Sequence, residues 1–173
     1  MDTVVIRRVA AVTPELQVGL ADVLGDVVAG GASVGFLAPL PAERALAFWR
    51  RVAEGVAAGH RVLFVAEDAH GVCGTVQLLV DLPDNQPHRA DLAKMLVHRR
   101  ARRRGIATRL LAAAEAAARD LGRTLLVLDT VTGSDAARVY ERAGWVRVGD
   151  VPRYALWPDR RECSTTYYYR DLQ

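Results

Sequence analysis

The chain has 173 residues, 51% of them hydrophobic and 25% charged, which is enough for one domain with its own core and short for two. No run approaches the roughly 20 apolar residues of a membrane-spanning helix, and residues 1–6 lack the features of a secretory signal, so a cytoplasmic protein without a membrane partner is expected. A net charge of +3 does not by itself point to nucleic acid, and almost all of the positive charge is arginine, Lys94 being the single lysine.

Residues 3–8 have the β-branched content of a short strand. Thr13 and Pro14 form a helix start, and the helix runs to about Ala29 despite Gly19 and Gly25. Residues 30–36 read as a loop that residues 39–41 close. A second helix, residues 42–58, sets Leu46, Trp49, Val52, Ala53 and Val56 on one stripe and stops at Gly59. Residues 61–67 and 72–80 are strand-like runs joined by residues 68–71, a hairpin with a four-residue connection.

A polar loop at residues 83–87 precedes a further strand at 91–97. Residues 106–121 carry an apolar helical stripe with Gly122 as the stop, and 125–128 form an apolar run suited to a strand buried on both faces. Ser134 caps a short helix over 135–143 that ends at Gly144. Strands at 145–148 and 164–170 finish the chain, separated by a long loop containing Pro152, Trp157 and Pro158. The order describes a mixed α/β layered domain with an early antiparallel part. Cys73 and Cys163 have no C-x-x-C partner and read as small buried hydrophobes. The histidines stand ten or more residues apart, and no metal is expected.

The stretch HRRARRRGIATRLL, residues 98–111, packs five arginines into six positions ahead of Gly105. A strand that enters a glycine turn and then a helix presents free backbone N–H groups to an anion, aided by the positive end of the helix dipole. Gly105 lets the backbone approach closely, Ala107 keeps bulk away and the arginines add full charges. This suits a diphosphate, and equally a single phosphate or a sulfate. The run also reads as a solvated face, or as a nucleic-acid-binding module on Arg99 to Arg104, though without the interleaved aromatics of a single-strand platform. Neither the lysine-containing phosphate loop nor the dinucleotide fingerprint is present.

Residues 97–107 resemble the acetyl-CoA motif of the GNAT N-acetyltransferases, V-x-P-x-x-[Q/R]-x-x-G-x-[G/A], with Arg99 where proline is common. Ala136 to Tyr140, followed by Gly144 and Trp145, resembles that family's A-x-x-x-Y-x-x-x-G-[F/W] motif. The order of elements matches as well, so the resemblance spans essentially the whole chain. It implies the GNAT fold, a central twisted mixed β-sheet of about seven strands flanked by about four helices, as one domain over residues 1–173. It also implies an N-acetyltransferase that takes acetyl-CoA as cosubstrate and acts as a monomer or homodimer with no nucleic-acid partner. Residues 85–107 and 125–133 are similar, more closely, to the tabtoxin-resistance acetyltransferases. That likeness implies a small amine-containing substrate, a β-lactam toxin or antibiotic, and a role in resistance or detoxification; a peptide or protein N-acetyltransferase is the alternative.

By the same resemblance, the backbone of Leu96 and Val97 holds the pantetheine arm and the thioester oxygen. Arg102, Arg103, Arg104, Gly105, Ile106, Ala107 and Thr108 wrap the pyrophosphate, through N–H groups more than through side chains. The amine attacks the thioester directly, so a base must take its proton and an acid must assist the leaving thiolate. Tyr140 matches the family position near the CoA sulfur and is the expected general acid, although with Ala136, Val139 and Ala143 it also reads as a core stripe. Asp129, at the end of an apolar strand, is the preferred base or amine-orienting group, or else a cap of the following turn. Asp91 is the reserve base on the substrate side. Ser33, Phe36 and residues 154–157 border the acceptor in this fold. Gly133 stands where many members carry asparagine, so that residue's contact with the cofactor arm is not carried over.

Overall fold

Short β-rich runs and amphipathic helices fold into one sheet covered on both faces. A computed structural model describes residues 3–173. Its strands are β1 (Val5–Arg8), β2 (Arg61–Asp68), β3 (Gly71–Leu79), β4 (Arg89–Val97), β5 (Leu125–Val131), β6 (Val146–Leu156) and β7 (Glu162–Asp171). Its helices are α1 (Pro14–Ala29), α2 (Ala42–Ala57), α3 (Ile106–Asp120) and α4 (Asp135–Arg142), with a 3-10 turn, Arg99–Ala101, between β4 and α3. The sheet runs β1-β2-β3-β4-β5-β7-β6, and every neighbouring pair is antiparallel except β4 with β5. The mixed seven-stranded sheet with four helices is the GNAT fold that the motifs imply.

Local chemistry sets the helix ends. Thr13 Oγ1 accepts the Leu16 N–H at 3.2 Å with Pro14 opening α1, and Ser134 Oγ accepts the Ala137 N–H at 3.2 Å at the start of α4. Gly19 survives inside α1 because a Cβ there would come within 2.9 Å of Val72 Cγ2; the missing side chain lets α1 lie close on β3. One core joins Leu20, Val23, Leu24 and Trp49 of α1 and α2 to Leu63, Val65 and Leu96 of the sheet. The second joins Ile106, Leu110, Leu111 and Tyr140 of α3 and α4 to Leu78, Ala90, Leu92, Leu126 and Leu128. Each fully buried large apolar side chain contributes roughly 1.5–3 kcal/mol, so the two faces hold the sheet between them.

Three elements differ from expectation. The β2–β3 connection is two residues rather than four, because Asp68 Oδ1 takes the His70 N–H at 3.0 Å and Gly71 turns with φ 97°. β5 continues past Leu128 to Val131 by pairing with β7 as far as Val131 with Thr165. The expected loop before the last strand is largely strand: β6 runs to Leu156, with its register slipping between Val151 and Ala155. Pro152 and the left-handed Arg153 sit in that slip, and a sheet edge tolerates proline where a central strand does not.

Candidate active site

β4 and β5 part in mid-sheet. They pair only through Arg89 with Leu125, Ala90 with Leu126 and Asp91 with Val127, although β4 continues to Val97 and β5 to Val131. The cause is a bulge in β4, where the register against β3 slips between Thr75 and Gln77 and Lys94 adopts φ 51°. The inserted residue bends β4 away while β5 stays with β7. A wedge opens between the two strands, and Leu96 and Val97 form its β4 side, where backbone groups have no strand across from them.

The arginine turn closes the mouth of this wedge. His98 Nδ1 accepts the Arg100 N–H at 3.2 Å, Arg103 and Gly105 turn the chain with φ 61° and 71°, and α3 begins at Ile106. The first bond of α3 is from Arg109 N–H to Gly105 C=O at 3.1 Å, so the N–H groups of Ile106, Ala107 and Thr108 precede the intrahelical ladder. Ile106 is buried and pins the turn, whereas Gly105 and Thr108 are exposed and Ala107 is half-buried. A Cβ on Gly105 would meet no atom within 4 Å; within the chain, glycine is needed for the left-handed backbone and not for space.

The five arginines do not form one basic face. Arg99 bonds Asp26 through its backbone N–H at 2.8 Å and its Nε at 2.9 Å. Arg100 and Arg104 place Nη1 atoms 2.7 and 3.1 Å from Asp68 Oδ2, on a side chain with no exposed surface. Burial alone would raise the Asp68 carboxyl, but the hydrogen bonds from Arg100, the His70 N–H and Arg104 hold it down at about 2. Arg102 and Arg103 are exposed, with Arg102 Nε 3.5 Å from the Val97 carbonyl. Arg99, Arg100 and Arg104 are thus neutralised by carboxylates, which weakens the nucleic-acid reading of the run.

The wedge joins two chemically different sides. On the α3/α4 side, Tyr140 is 5% exposed, its ring centroid 5.6 Å from that of Trp145 and 6.3 Å from that of Tyr168. Burial first, and the charge of Asp129 second, push its phenol above the usual tyrosine range, so it stays protonated. On the α1/α2 side, the exposed Asp129 accepts Thr165 Oγ1 at 2.8 Å and lies opposite Tyr167, whose hydroxyl is 3.0 Å from that of Tyr154. Asp91 shares that side. Burial raises its carboxyl, Arg89 opposes the rise with Nη2 at 3.3 Å from Oδ2, and Asp129 adds to it. Asp91 Oδ1 is buried without a partner among the described residues.

The connection between α1 and α2 borders the same side. Ser33 Oγ donates to the Leu156 carbonyl at 2.7 Å, and the Ala38 N–H donates to the Pro158 carbonyl at 3.1 Å. The Ser33 hydroxyl is thereby taken up in tying this loop to the β6–β7 hairpin. Phe36 stacks edge-on against Phe48 of α2 at 5.5 Å, on the rim of the α1/α2 core. Gly133 turns with φ 71° between β5 and α4 and contributes no side chain. Sequence reasoning gave Lys94 no role, yet its Nζ lies 5.5 Å from the Phe48 ring centroid on this side. The only signal was its being the sole lysine; its placement depends on the β4 bulge, which no spacing announces.

A parted pair of parallel strands with a helix N-terminus at its mouth, a buried phenol on one side of the sheet and carboxylates on the other, is an arrangement suited to acyl-group transfer. The acetyltransferase (GNAT) domain family matches residues 59–147, and the chain belongs to this family of N-acetyltransferases. The fold is similar to that of an N-acetyltransferase from Staphylococcus aureus Mu50, with a TM-score of 0.82, 18% identity and 99% of each chain covered. It is similar to yncA of Salmonella typhimurium, assigned as an acetyltransferase and solved with its cofactor acetyl-CoA, with a TM-score of 0.80, 16% identity and 99% of this chain and 95% of that one covered. A GNAT enzyme from Kribbella flavida gives a TM-score of 0.78, 20% identity and 97% of each chain covered.

Proposed function

We propose that this chain is a cytoplasmic enzyme that transfers the acetyl group of acetyl-CoA to the amine of a small molecule by direct attack on the thioester. The observation that carries the reading is the parting of β4 from β5 beyond Asp91 and Val127, with Tyr140 on one side and Asp129 and Asp91 on the other. Acetyl-CoA supplies an activated acyl carbonyl. The residues present suit it: an unpaired β4 edge for an amide-rich arm, and a helix N-terminus for a diphosphate.

In this reading the backbone of Leu96 and Val97 holds the arm, and the turn from Arg102 to Thr108 receives the pyrophosphate. Asp129, or Asp91 beside it, takes the proton of the attacking amine, and the protonated Tyr140 hydroxyl donates to the leaving thiolate. Thr165 orients Asp129, and Phe36 walls the acceptor side.

The tie between the α1–α2 connection and β6–β7 encloses that side and favours a small molecule over a peptide laid in an open groove. Within small amines, the likeness of residues 85–107 and 125–133 to the tabtoxin-resistance acetyltransferases favours a β-lactam toxin or antibiotic, hence a role in resistance. The test is thiol release from acetyl-CoA with a panel of toxin and antibiotic amines beside a panel of peptides. Turnover confined to small amines is the expected result. Acetylation of peptides alone, or of nothing offered, would overturn the assignment.

A further inference from the structure

The single lysine of the chain stands at the bulge that opens the sheet. Lys94 holds φ 51°, a left-handed conformation unfavourable for a non-glycine residue. Its side chain is half-buried, and its Nζ is 5.5 Å from the Phe48 ring centroid and 3.7 Å from where a Cβ on Gly35 would stand. The charged groups that act on it are Asp129 of β5 and Arg61 of β2. Both are otherwise engaged, Asp129 with the Thr165 hydroxyl and Arg61 with Gln77 Oε1 at 2.9 Å. Among the described residues none forms a hydrogen bond or ion pair with Lys94. Burial lowers its ammonium pKa, with Asp129 opposing and Arg61 reinforcing that change.

The half-buried ammonium rests over the Phe48 ring in a cation–π contact and has no paired anion, which leaves its charge available to an anionic group of a ligand. The same side of the sheet holds the complementary charge elsewhere: Asp129 and Asp91, with the buried Asp91 Oδ1 unpartnered. The acceptor side therefore has a cationic point at the bulge and an anionic pair on the β4–β5 seam. An amine without an acid group would engage only the second.

We propose that Lys94 anchors an acidic group of the acceptor, so that the substrate is a small amine that also carries a carboxylate or equivalent anion, as an amino acid does. The amine then sits at Asp129 and Asp91 and the acid at Lys94, which fixes the orientation of attack. This rests on the reading that a small amine is acetylated at the β4–β5 opening.

The test pairs several amino acids with the amines that differ from them only by loss of the carboxylate, and measures kcat/KM for each. The wild-type chain is expected to favour the acids by about 10- to 100-fold, the range of a charged hydrogen bond. That ratio is expected to collapse in Lys94→Met and to return in part in Lys94→Arg, which keeps the charge and controls for folding. Calorimetric binding of the same pairs reads the anchor independently of turnover: binding of acids over amines, lost in Lys94→Met, supports it even where no acetyl group moves. Amines turned over regardless of their acid group would sink the anchor and leave the acetyltransferase reading standing. The absence of any preference in both binding and turnover would also overturn it.

Discussion

Tyr140 and Asp129 face opposite sides of the sheet, yet the charge of the carboxylate reaches the phenol and adds to the effect of burial. A phenol held protonated across the working range still carries its proton and cannot act as a base, although its raised pKa makes it a weaker acid. Tyr140→Phe is expected to lower kcat by about 100-fold or more while leaving the KM for acetyl-CoA nearly unchanged, since general-acid assistance is lost and the ring packing is kept. Full turnover over the whole pH range would remove the acid assignment. Asp91 offers a second test, because its raised carboxyl is an active base only once deprotonated. If it takes the amine proton, the acidic limb of kcat/KM lies above the usual aspartate range. Asp129→Asn then moves that limb to lower pH, because the neighbouring charge that raised it is gone. Loss of turnover at every pH in Asp129→Asn would instead make Asp129 the base. Tyr140 was legible from its motif position and Asp129 from its place at the end of an apolar strand, and both roles stand as proposals. The electrostatic coupling of Asp91 to Asp129 and the place of Lys94 were not legible, since both follow from strand register.

The turn proposed to receive the cofactor is held by ion pairs, Arg99 with Asp26 and Arg100 and Arg104 with Asp68. Gly105→Ala leaves room for the new Cβ, so its effect is conformational: about 1–2 kcal/mol for the left-handed backbone, read as a lower Tm together with weaker acetyl-CoA binding. Asp68 holds the turn through Arg100 and Arg104, and its carboxyl lies at about 2 in the fold against about 3.9 unfolded. A depressed carboxyl stabilises fully above its unfolded value, and that contribution is lost as pH falls through the folded one. Urea denaturation at a series of pH values is expected to show stability falling between about pH 5 and 2. Asp68→Asn should be less stable at neutral pH and show a shallower fall. Helices were legible to within a residue or so because their caps and stripes are local. β6 was not: Pro152 is a loop signal unless the strand lies at an edge, and edge position is a property of the sheet.

At the scale of the molecule, both cores are built on the same strands: Leu96 of β4 faces α1 and α2, and Leu92 of the same strand faces α3. Neither core persists if the sheet comes apart, so residues 1–173 are proposed as one cooperative domain, expected to give a single calorimetric transition whose van't Hoff and measured enthalpies agree. The wedge is the weak seam of that unit, because β4 and β5 share only three paired positions, Arg89 to Asp91 on one strand and Leu125 to Val127 on the other. A ligand that lies along the free β4 edge and reaches the N-terminus of α3 binds the folded state alone and must raise its stability. At a concentration 100 times its dissociation constant the gain is about 2.7 kcal/mol, or about 5–10 °C in Tm for a chain of this size. Acetyl-CoA is expected to produce that shift, and Gly105→Glu to reduce it by placing a negative charge where the pyrophosphate is proposed to bind. A DNA fragment offered at two salt concentrations is expected to produce none, since Arg99, Arg100 and Arg104 are already paired with carboxylates. A shift with DNA that vanishes at high salt, with none from acetyl-CoA, would return the arginine run to nucleic acid.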